Sequence, residues 1–69
     1  PARLIPRCPS ATSIFVEGRP VENGTPIEVL AFDRSGRKVH RVEFIIGGET
    51  HEKQIAVTAG QPEVEASCD

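Results

Sequence analysis

The run IEVLAFDRSGRKVHRVEFII, from Ile27 to Ile46, constrains the fold more than any other stretch. Two apolar segments rich in Val, Ile and Phe flank a polar centre, Asp33-Arg34-Ser35-Gly36. β-Branched and aromatic side chains suit a pleated, half-buried surface, and Asp, Ser and Gly suit a turn. The pattern predicts a long β-hairpin with arms from Ile27 to Asp33 and from Arg37 to Ile46. A short helix over residues 26–35 stays open. Thr25-Pro26-Ile27-Glu28 has the form of a capping box with Pro at the first helical position, and Gly36 would end the helix. That helix would carry Ile27, Val29, Leu30 and Phe32 around its whole circumference, so strand is the preferred reading.

In the second arm His40, Val42, Phe44 and Ile46 share one face, and Val39, Arg41, Glu43 and Ile45 the other. In the first, Ile27, Val29 and Ala31 oppose Glu28, Leu30 and Phe32. Both arms become apolar on both faces, at Leu30 to Phe32 and at Phe44 to Ile46. A chain of 69 residues has room for one core. The second apolar face therefore calls for a bulge, a covering arm or another subunit.

The rest of the chain reads as short strands separated by turns. Ala11 to Glu17 is a strand with Ile14 and Val16 facing one way and Phe15 the other. Glu17-Gly18-Arg19-Pro20 is a turn, Val21 begins a short edge segment, and Asn23-Gly24 is a turn dipeptide. Asn23-Gly24-Thr25 matches a glycosylation sequon, but Pro26 follows it and the turn reading is preferred. Gly47-Gly48 ends the second arm, and His51 falls in the loop beyond it. Glu52 to Thr58 is a further strand with Ile55 and Val57 inward. Ala59-Gly60-Gln61-Pro62 is a turn. Glu63 to Cys68 is the last strand, with Val64, Ala66 and Cys68 inward. This spacing predicts an all-β domain, a small antiparallel sandwich or barrel over residues 11–69.

Residues 1–10, PARLIPRCPS, carry Pro1, Pro6 and Pro9, which fix φ and remove donors. They read as an extended basic arm that lies over a neighbour, with Leu4 and Ile5 as apolar anchors. Cys8 and Cys68 would close nearly the whole chain if bridged. Such a bridge is worth about 4 kcal/mol on a loop-entropy model, although bridges are uncommon in a reducing cytosol. The spacing leaves the bridge open, because it does not fix the Cα separation.

The stretch Gly18-Arg19-Pro20-Val21-Glu22-Asn23-Gly24-Thr25-Pro26-Ile27-Glu28-Val29, followed by Asp33-Arg34-Ser35-Gly36, resembles bacterial and phage immunoglobulin-like domains. Those often carry G-x-P-V-x-N-G-T-x-V-x-V and then a D-x-x-G turn. The resemblance covers about a quarter of the chain, implies a sandwich, and brings no site residues.

Composition narrows the function classes. Phe15, Phe32 and Phe44 are the only aromatics, so a stacking platform for sugars or single-stranded nucleic acid is hard to build. A net charge of −2 argues against general nucleic-acid binding. No segment is long and apolar enough to span a membrane as a helix, and none has the form of a secretory signal. Pro1-Ala2 fits a chain whose initiator Met has been removed, with a processed end as the competing reading. Cys8, His40, His51 and Cys68 match no compact zinc spacing. An N-terminal Pro can act as a general base in 4-oxalocrotonate tautomerase-like enzymes, and Phe44 to Glu49 faintly echoes their C-terminal stretch. That family needs a helix where this chain has Pro20, Gly24 and Pro26. No catalytic residue, cofactor or metal is predicted.

Charge is the remaining signal. Arg34, Arg37, Lys38 and Arg41 cluster at and beyond the predicted hairpin turn. Glu49, Glu52, Glu63, Glu65 and Asp69 crowd the C-terminal half. Each charge alone suits a solvated face, but a basic tip and an acidic flank suit docking between unlike surfaces. The expectation is a non-enzymatic assembly protein, most concretely a small virion capsid decoration (cement) protein. It would be made in the host cytoplasm and would contact a capsid shell or copies of itself. A cytoplasmic binding module or inhibitor, with a host-surface, peptide or antitoxin-like partner, is the alternative.

Overall fold

The computed structural model describes residues 2–29, 34, 36–58 and 60–68. Among them the chain is all strand and turn: β1 (Ala2–Arg7), β2 (Ser13–Val16), β3 (Arg19–Val21), β4 (Ile27–Val29), β5 (Arg37–Ile46), β6 (Glu49–Thr58) and β7 (Glu63–Ser67). They form two packed sheets, a three-stranded one in the order β4-β1-β7 and a four-stranded one in the order β3-β2-β5-β6.

The hairpin predicted over Ile27 to Ile46 is not formed. β4 pairs with β1, from Ala2↔Val29 to Leu4↔Ile27, whereas β5 pairs with β2 and β6 in the other sheet. The chain crosses between sheets after Val29, and residues 30–33 lie outside the described residues. The long hairpin is instead β5–β6. Its ten pairs run from Arg37↔Thr58 to Ile46↔Glu49 without a bulge. Gly47 and Gly48 close it with φ of 59° and 82°. Two consecutive positive φ angles make a type I′ turn, which matches strand twist and favours glycine. His51, expected in a loop, therefore lies in β6.

Nor do residues 2–7 form an arm. β1 is the central strand of its sheet, and its Leu4 is fully buried in the domain's own core. The prolines permit this because of where their missing donors fall. Arg3 N–H donates to Pro62 C=O on the β7 side, so the even residues of β1 turn their backbone groups toward β4. The β4 ladder ends at Leu4, which leaves Pro6 beyond it, where no N–H is needed. The Pro6 carbonyl is taken up by Gly24 N–H at 2.6 Å.

β1 and β7 run parallel, with Arg3↔Glu63 through Arg7↔Ser67 in register, while the other ladders described are antiparallel. One more step of the parallel register places Cys8 beside Cys68. Their Cα atoms are 5.4 Å apart and the sulfurs are bonded. Leu4, Cys8, Ile14, Val16, Val42, Phe44 and Ala66 make the core between the sheets.

Candidate interaction site

The two outward faces of the sandwich differ in how their charges are arranged. On the β4-β1-β7 face Arg3 stands opposite Glu28 on one side and Glu63 on the other. Arg7 Nε lies 3.2 Å from Glu65 Oε2. Opposite charges at cross-strand positions support the ladder. Arg7 thus pairs with an acidic residue of the same chain and Arg3 is flanked by two, and Ile5 is half-buried beside Glu65 on this face.

The β2-β5-β6 face is built from every second residue of β5. Arg37, Val39, Arg41, Glu43 and Ile45 point outward, because Val42 and Phe44 are buried in the core and His40 lies beneath. Each outward residue has a neighbour on β6: Thr58, Ala56, Gln54, Glu52 and Thr50 in turn. Phe15 lies beside Glu43 and Ser13 beside Ile45 on β2. Val39 is 39% exposed, while Phe15 and Ile45 are half-buried. The face thus carries apolar side chains at Val39, Phe15 and Ile45 interspersed with charges, a basic end and an acidic step where Glu43 stands directly beside Glu52.

The four basic residues expected to act together are divided by the strand's alternation. Arg37 and Arg41 lie on this outer face, and Arg34 is exposed before β5 begins. Lys38 turns inward and joins Val16, Glu17, Arg19, Val29 and His40 in lining a cavity of about 350 Å³ at one end of the sandwich. Among the described residues no cluster of three or more His, Cys, Asp or Glu is placed to hold a metal.

Two residues matter more than the sequence indicated. Glu17 has a φ of 51°, unusual for a residue with a side chain, in the tight turn between β2 and β3. Its backbone N–H donates to Arg41 C=O, and its carboxylate accepts from Arg41 N–H at 3.0 Å. The same carboxylate oxygen is 3.4 Å from Nδ1 of the buried His40. These contacts offset the cost of the backbone conformation, of order 1–3 kcal/mol. Asn23 is the other. Its Oδ1 accepts from Cys8 N–H at 3.1 Å, and its Nδ2 donates to Cys8 C=O. The side chain thereby acts as a piece of strand that closes the end of β1. An Asn before Gly signals the turn, but nothing local signals a partner 15 positions upstream.

Compared with family models, with curated proteins and with solved structures, the chain matches none.

Proposed function

We propose that this domain is a non-catalytic assembly protein, a decoration (cement) protein of a virion shell, and that the outer face of β2-β5-β6 is one of its protein-contact surfaces. The observation that carries the reading is the contrast between the two outer faces. On one, Arg3 stands between Glu28 and Glu63 and Arg7 pairs with Glu65. The other presents Val39, Phe15 and Ile45 beside Arg37 and Arg41, a combination of apolar anchors and arginine that suits protein–protein contact. The immunoglobulin-like resemblance is compatible with such a role, since sandwiches of this kind are common scaffolds for binding. Leu4 no longer supports the reading, because its side chain is spent on the core.

The disulfide favours a second reading, a binding module of an exported surface protein, because such bridges persist in oxidising compartments. One experiment separates the two. Particles from the native source are purified on a density gradient, and this chain is quantified in them by mass spectrometry. A decoration protein is expected at a fixed, high copy number per particle. Its absence from particles, with recovery in the envelope or secreted fraction, would refute the shell reading in favour of the second.

A further inference from the structure

We infer that the outer face of β2-β5-β6 pairs with the same face of a second copy of this chain across a two-fold axis. The inference rests on the assembly reading and names a partner for it. Along β5 the outward residues run Val39, Arg41, Glu43, Ile45: apolar, cation, anion, apolar. The sequence of types is complementary to its own reverse about the midpoint between Arg41 and Glu43. A two-fold axis lying along the face and crossing β5 at that midpoint sets Arg41 of each copy against Glu43 of the other. The same operation sets each Val39 against the other copy's Ile45. Every contact is made twice, as an isologous interface requires. Sheets stacked face to face lie about 10 Å apart with strand directions within about 30°, so the central side chains meet across the gap.

The register is selective. An axis through Arg41 would stack Arg41 on itself. An axis through Glu43 would stack Glu43 on itself with Glu52 alongside. Both place like charges together. A second observation points the same way. Glu43 and Glu52 are direct cross-strand neighbours, an arrangement unfavourable in the isolated sheet. Arg41 of the same chain reaches Glu43 only at 4.0 Å, with its side chain about half exposed. A second copy brings its own Arg41 to this acidic step.

The test is sedimentation equilibrium of the oxidised full chain up to about 1 mM, with thermal melts confirming that each variant is folded. Wild type is expected to show a monomer–dimer equilibrium. Arg41→Glu and Glu43→Arg should each weaken it by about tenfold or more. The double variant R41E/E43R recreates the opposed charges across the axis and should recover to within about threefold of wild type. A chain that stays monomeric throughout, or a double variant that dimerises no better than the single ones, overturns the pairing. Either result leaves the particle measurement to decide the assembly reading separately.

Discussion

Removing the Cys8–Cys68 bridge should bring the domain close to its unfolding midpoint at ordinary temperature. The bridge spans a sequence separation of 60. With that loop length, restricting the unfolded chain is worth about 4 kcal/mol at 25 °C. A domain of 69 residues has a total stability of about 3–10 kcal/mol. The bridge thus accounts for a large part of what holds the fold, and at the lower end for all of it. At about 4–8 °C per kcal/mol for a domain of this size, the midpoint should fall by roughly 15–35 °C. The assay is a circular dichroism melt of the oxidised chain, of the chain in a phosphine reductant, and of the double variant C8A/C68A. Reduction leaves both sulfurs in place, so agreement between the reduced chain and the variant isolates the cross-link from the small packing loss at buried Cys8. A shift under about 5 °C in both would refute the reasoning, because the unfolded chain would then already be constrained without the bridge.

Leu4→Ala should cost about 2–5 kcal/mol, since the side chain is fully buried, and removal of residues 1–7 should unfold the chain; a truncated chain retaining a cooperative melt would contradict the central position of β1. Asn23→Ala should cost about 1–3 kcal/mol, because the Cys8 N–H and C=O lose their partners together. Asn23→Asp keeps only the acceptor, and its denaturation midpoint should fall between those of the parent and the alanine variant.

Much of the fold is legible in the sequence where alternation and burial coincide. β5 begins and ends where the pattern places it, and of its predicted inward set, His40, Val42, Phe44 and Ile46, the first three are buried and Ile46 is half-buried. β2 and β7 follow the same logic. The pairing was harder to read. The apolar density of Ile27 to Phe32 suggests a partner for β5, yet the partner is β6, whose first half, Glu49 to Lys53, is charged and polar. That half is exposed up to the half-buried Lys53, so burial leaves no mark on it. The turn signal was present in Gly47-Gly48, but reads equally as the end of a strand. β1 departs from its expected role as an arm for a related reason. Three prolines in ten residues exclude helix, but they exclude a ladder only where a donor is required, and that depends on which side of the strand is paired. Local sequence does not contain that information. The interaction face was half legible: Arg37 and Arg41 belong to it, whereas Lys38, between them in sequence, lies on the opposite side of the strand.

The adjacency of Glu43 and Glu52 links stability to function in a way that one substitution can test. Elsewhere the sandwich sets opposite charges across its ladders, as with Arg3 between Glu28 and Glu63. A sheet serving stability alone would do the same on β5 and β6. Glu52→Lys converts the like-charge neighbours into an opposite pair and should stabilise the monomer by about 0.2–1 kcal/mol, a rise in melting midpoint of about 1–8 °C. Glu52 also lies beside the position where the second copy's Arg41 would sit, so the new cation should weaken dimerisation while the fold strengthens. Such a trade of stability against association is expected when an unfavourable feature is kept for binding. Melting and sedimentation of the same variant read the two effects independently. A variant that gains stability and dimerises as well as wild type would show that the acidic step contributes nothing to the interface. A variant that loses stability would show that Glu43 and Glu52 are not in conflict in the folded chain.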